Sequence, residues 1–279
     1  MTASVLLLVL LGALLHASWN LLVKSGHDTR ITTAGVYISA GLLAGLALPL
    51  LPVPHPASWP YLAASTVLEV IYGVLLAAAY RVGDLSHTYP LMRGTAPLLV
   101  AIGSGTLIGE QLSRGVWIGV ALVSGGILSM FFDARLRGHS AAATRLALLN
   151  GLMIAAYTTI DGLGVRVSGN PIAFSLWLFL LVALPWLIWA MARSRAPRWE
   201  KLRRQLPTAV LGGACSLASY TLALWAMTRA PVAAVAAVRE TSILFGTALG
   251  VVILHERITT ARVLAVVAIA LGVWTIHAH

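Results

Sequence analysis

The chain has 279 residues, of which 59% are hydrophobic and only 10% charged, and its mean hydropathy is +0.88. A soluble domain carries about 25% charged residues, so this composition excludes a water-soluble fold and describes an integral membrane protein. The net charge of +10 is not a nucleic-acid footprint, because the basic residues sit in short loops between apolar segments, where they set topology and meet anionic lipid head groups.

Crossing the hydrocarbon layer takes about 20 mostly apolar residues. Ten segments qualify: 3–23, 31–52, 59–80, 85–108, 113–132, 146–166, 171–192, 207–228, 231–254 and 259–277. Lipid offers the backbone no hydrogen-bond partner, so each is expected to be helical. The first lacks a basic start and a small-x-small cleavage signal, and reads as a retained helix rather than a signal peptide. On it His16, Trp19 and Asn20 share one face, which Lys24 extends to the boundary. Such a stripe either lines a polar cavity or bonds neighbouring helices, with Trp19 at the interface. Helix three carries Glu69 near its middle and Tyr72 one turn later; Glu69 is either a proton-coupling carboxylate or the counter-ion of an arginine.

Helix four surrounds Arg93 with Tyr89, Pro90, Gly94 and Pro97. The two prolines would kink or loosen it, and freed carbonyls often face a site. Glu110 and Glu256 lie in the turns before helices five and ten, close enough to cap them. Asp161 lies about a turn from the end of helix six, after Tyr157; a cap or snorkelling role is as open to it as a functional one. Cys215, the single cysteine, cannot form an internal disulfide. Tyr220 and Trp225 in helix eight could stack on a substrate or simply pack. Helix nine carries Arg239 beside Glu240. Gly41–Gly45 and Gly125-Gly126 allow close helix packing, within one chain or in a homodimer.

An offset of 146 residues lays segment 80–130 on 226–276 without a gap. Arg93 falls on Arg239, Thr95 on Thr241, Glu110 on Glu256 and Gly126 on Gly272. The chain therefore divides into a first five-helix repeat at 1–132, a basic cytoplasmic linker at 133–145 and a second repeat at 146–279. An odd number of helices per repeat inverts the second copy. The expected fold is all-α, with ten transmembrane helices as two inverted five-helix repeats. Loops after odd-numbered helices hold most of the Lys and Arg, including the 193–204 segment. The positive-inside rule puts those loops in the cytoplasm and both termini on the far, periplasmic side.

Arg93 and Arg239 each lie about nine residues into their helices, so roughly 13 Å deep and near the midplane. A guanidinium there costs at least about 2.5–3.5 kcal/mol and is not expected to face lipid. The pair reads as a site for a carboxylate, phosphate or phosphonate, with Arg93 the stronger candidate because Glu240 adjoins Arg239. The alternative is a structural role, neutralised by Glu69, Asp161 or Glu240. His16, Asn20, Tyr72 and Tyr220 would complete the lining. Nothing suggests catalysis, a cofactor or a metal: there is no G-x-S-x-G, no H-E-x-x-H and no nucleotide loop.

Two five-helix copies, each ending in helix–(Gly/His)-Glu–helix, resemble the EamA family of the drug/metabolite transporter superfamily. The strings from His16 to Asn20 with Lys24, Gly83-Asp-Leu-Ser86, Tyr89-Pro90 and Arg93 to Val100 are similar to a bacterial subgroup associated with phosphonate-utilisation gene sets. The resemblance implies a secondary carrier of the bacterial inner membrane, whose relatives export amino acids and other metabolites. The expected function is alternating-access transport, in the export direction, of a small polar or anionic metabolite such as an amino acid. The partners are then a small-molecule substrate and membrane lipids, with no nucleic acid. A uniporter or exchanger of phosphorylated or phosphonate metabolites, and a non-transport membrane protein (an assembly partner or lipid-head-group enzyme), are the alternatives.

Overall fold

A computed structural model describes residues 1–25, 29–82, 85–135, 141–192, 198–254 and 260–279. They form eleven α-helices and no strand among the described residues: α1 (Ala3–Ser25), α2 (Thr29–Ala47), α3 (Trp59–Val82), α4 (Leu85–Gly103), α5 (Arg114–Arg135), α6 (Ala141–Val167), α7 (Pro171–Ala192), α8 (Arg198–Met227), α9 (Val232–Arg239), α10 (Ser242–Leu254) and α11 (Thr260–Ala278). Eight helical segments are long and apolar enough to cross a membrane, while α5 and α11 carry the shorter apolar stretches Arg114–Met130 and Arg262–Ala278. α5 and α6 reach into the stretch expected as a linker, leaving residues 136–140 between them.

The sequence predicts one helix over 231–254; the structure has two. α9 ends at Arg239, and Glu240 and Thr241 form a tight turn before α10. Glu240 N–H donates to Ala237 O at 3.1 Å and Thr241 N–H to Val238 O at 3.0 Å, each one carbonyl later than the α pattern. Helix four behaves the other way: α4 runs unbroken through Pro90 and Pro97. Pro97 has no N–H to give the carbonyl of Arg93. The Thr95 hydroxyl, between the two prolines, donates to Leu91 O at 2.8 Å.

Close packing is made by small residues. α5 and α11 cross antiparallel, and a Cβ added to Gly272 would stand 2.7 Å from Gly119 O. A Cβ on Gly213 of α8 would meet Ala40 N of α2 at 2.7 Å. Gly41 abuts Ala183 of α7, so its packing lies within this chain; Gly125 touches nothing within 4 Å. α3 packs on α6, α1 on α8, and α4 on both α5 and α6. α9 is enclosed: α1, α4, α5, α6, α8 and α11 all touch it, and Val232–Val238 are buried. His277 Nδ1 lies 3.1 Å from Met1 O, so both termini share one end of the bundle.

Gly272→Ala pushes a methyl into backbone and should lower stability by about 1–3 kcal/mol, the usual cost of overpacking. Gly125→Ala should be neutral or slightly stabilising. Heat unfolding of the two variants in detergent compares them, and equal midpoints would refute the contact.

Candidate functional site

A cavity lies where α4, α6 and α9 meet. From α4 it is lined by Arg93, Ala96, Pro97 and Val100, and from α6 by Ile154, Tyr157 and Thr158. Ala236 and Arg239 of α9 complete it with Glu240. About 10 Å³ is open to water centres, about the room one water needs. The cavity is therefore no larger than a single water.

Its charges are unequal. Arg93 is 8% exposed and Glu240 4%, and Arg93 Nε stands 2.9 Å from Glu240 Oε2. This is an ion pair by distance, although the N–H is aimed off the hydrogen-bonding direction. Glu240 thus neutralises the arginine of the other half, not its neighbour. Arg239 has no carboxylate within ion-pair distance among the described residues. Its guanidinium lies instead over the Tyr220 ring, 4.7 Å from the centroid, a cation–π contact that attracts the cation without neutralising it. The ground for preferring Arg93, that Glu240 adjoins Arg239 in sequence, is thus not matched by the contacts. Helix geometry accounts for this: adjacent positions point about 100° apart, and the turn at Glu240 directs its carboxylate toward α4.

Behind Arg239 stands a second layer. Tyr220 OH donates to Asp161 Oδ2 at 2.5 Å. Asp161 is 0% exposed, which overturns the snorkelling and cap readings. Ser65 of α3 adjoins it, yet neither Ser65 Oγ nor Asp161 Oδ1 has a well-aligned hydrogen-bond partner. Glu69 lies within electrostatic reach of Asp161 and Arg239, outside the cavity lining. Tyr72 meets the edge of Tyr157 at 5.8 Å between centroids, and Tyr157 is the ring that lines the cavity.

The helix-one stripe is largely self-contained. Trp19 Nε1 donates to His16 Nδ1 at 3.3 Å, and Asn20 Nδ2 to His16 O at 2.7 Å. His16 lies within electrostatic reach of both arginines, but neither it nor Asn20 is in the cavity lining. Trp225 stacks under Arg229 at 4.7 Å. Sequence reasoning singled out neither Tyr157 nor Thr158 as lining. The signal available was their spacing one turn and less before Asp161, on the face that meets α4.

Glu110 is structural, but not at the helix expected. Ser113 Oγ accepts from Val116 N–H at the start of α5. The Glu110 carboxylate accepts the Val232 N–H at 3.0 and 3.1 Å at the start of α9. Glu256 lies outside the described residues, as do the side chains of 193–204.

A multi-span, all-helical membrane protein with charged groups converging on an internal cavity is the class that fold and site define. Residues 143–277 match the EamA-like transporter family. That match, over just under half of the chain, and the long apolar helices together support a membrane transporter in general terms. No curated protein matches the chain. A crystal structure described only as that of a protein shares the fold, with a TM-score of 0.74 and 18% identity over 99% of this chain and 96% of the other.

Tyr220→Phe removes the donor from a buried carboxylate and should cost about 1–3 kcal/mol. Tyr220→Leu also removes the ring beneath Arg239 and should cost about 0.5–2 kcal/mol more. Heat unfolding in detergent measures both, and equal losses would mean that the ring does not support Arg239.

Proposed function

We propose that the protein is a secondary transporter that exports a small metabolite bearing a single anionic group, a carboxylate such as that of an amino acid. Arg239 is the residue that binds that group. The observation that carries this reading is the charge balance of the cavity: two guanidinium groups and one carboxylate line it, and that carboxylate is engaged by Arg93. One uncommitted guanidinium suits a single carboxylate group; a phosphate or phosphonate dianion would stay half-compensated in a low-dielectric site. Export, and the bacterial inner membrane as location, are what the resemblance implies; the loop charges support periplasmic termini.

Alternating access between two inverted five-helix repeats, 1–132 and 146–279, is the proposed mechanism. Packing supports it. The contact of α3 with α6 has its counterpart in α8 with α1, and that of α4 with α6 in α9 and α10 with α1. On the α5–α11 crossing, Gly126 meets Ala265 and Gly272 meets Gly119. Under the repeat offset these contacts exchange with each other. A two-fold relation of this kind lets one packing interconvert with its mirror across the membrane. Tyr72, His16 and Asn20 are then supports of the lining, and Glu69, Asp161 and Glu240 balance or relay charge around the arginines.

Counterflow in proteoliposomes with pooled labelled amino acids, phosphonates and phosphorylated metabolites tests the reading. The expected result is saturable exchange of the amino-acid pool, abolished by Arg239→Ala and partly kept by Arg239→Lys. Exchange of the phosphonate pool alone would contradict the monoanion assignment. No exchange by a folded, inserted protein would contradict the carrier.

A further inference from the structure

The end of the bundle that carries the termini holds a second charged cluster, which the cavity does not use. Arg166, in the last turn of α6, donates through Nε to Met227 O at 2.9 Å, where α8 ends. Its Nη2 donates to Ala230 O at 3.1 Å and to Glu110 Oε1 at 2.5 Å. Glu110, from the turn between α4 and α5, caps α9 at Val232 N. One carboxylate and one guanidinium thus join the end of α4, the ends of α6 and α8, and the start of α9.

The backbone that presents Glu110 is itself unusual. α4 widens into a π-turn over Ser104–Ile108, and Gly109 has a φ of 76°. Glu110 N–H returns to Ser104 O at 3.0 Å. π-turns inside helices often mark functional sites. Ala236, the first residue of α9 to line the cavity, lies four residues beyond Val232, about 6 Å along the axis. α9 is therefore held from both ends by first-half side chains: Glu110 at its start and Arg93, through Glu240, at its finish. The two ties differ in exposure. The Arg93–Glu240 side chains are 10% and 5% exposed, whereas those of Arg166 and Glu110 are 30% and 11% exposed. Water therefore reaches the Glu110–Arg166 tie and can replace its bonds when it parts.

We propose that Glu110 is a positioning residue for transport: with Arg166 it latches α9 and closes the cavity toward the end that carries the termini. Parting of this latch frees the start of α9 and opens the cavity to that side. The proposal rests on the alternating-access reading, since a latch has meaning only if the cavity opens at that end in turn.

Side-specific labelling tests it without a known substrate. Ala236→Cys is placed in a Cys215→Ser background and reacted with a membrane-impermeant methanethiosulfonate, in right-side-out and inverted vesicles. A C-terminal tag marks the face of the termini. Glu110→Gln keeps an acceptor for Val232 N–H and loses the charge facing Arg166. It should raise the rate from the termini's face by about tenfold, as expected for loss of a charge-assisted hydrogen bond, without raising it from the other. Arg166→Lys keeps the charge but not the forked contacts and should give a smaller rise on the same face. An unchanged rate, or an equal rise from both faces, would overturn the latch, the second result marking a bundle that is merely loosened. Failure of the carrier reading shows elsewhere, as absent counterflow by the otherwise unaltered protein, and leaves the labelling comparison readable.

Discussion

Charge within a bilayer must be compensated, and the interior of this protein is arranged around that cost. Two guanidinium groups stand among apolar helices with one carboxylate in direct contact. Full neutralisation of both would leave nothing to attract an anion, and neutralisation of neither would penalise the folded state by several kcal/mol per ion. The structure takes an intermediate course. Glu240 reaches across to Arg93, while Arg239 rests on the face of Tyr220, which lowers its energy yet leaves its donors unspent.

This division depends on a small backbone event. If helix nine ran straight through Glu240 and Thr241, the carboxylate would follow the regular helical spiral. The turn there shifts its hydrogen bonds by one carbonyl and ends α9 after eight residues. A short, Ala- and Val-rich helix, enclosed by six others, results. Such a helix packs closely because its side chains are small, and Glu110 at its start and Arg93 at its finish tie it to the first half of the chain. Tyr220 and Asp161 behind it fix where the remaining cation sits.

Much of this was legible in the sequence. Apolar runs of bilayer length mark the eight helical segments long enough to cross a membrane, since lipid leaves the backbone no other way to bond. The repeat offset alone pairs Arg93 with Arg239. What was hidden came from contacts between distant segments. Nothing near Glu110 in the sequence points to Val232 or Arg166, so its capping of α9 instead of α5 could not be read locally. The prolines of helix four were the stronger local signal for a break, yet α4 stays continuous and helix nine, which has no internal proline, divides. Tertiary packing at Glu240 outweighed local propensity there. Asp161 stayed open between surface and interior because it lies near the helix end; its burial and its bond to Tyr220 come from distant segments.

The charge arrangement of the interior turns on Glu240 being committed to Arg93 and not to Arg239. A double-mutant cycle tests it most directly: Arg93→Met, Glu240→Met and the double variant, compared by heat unfolding in detergent. Each single variant, which strands a buried charge, should be destabilised by about 3–5 kcal/mol, and the double variant should recover most of that loss. Additive losses, or recovery by Arg239→Met in place of Arg93→Met, would contradict it.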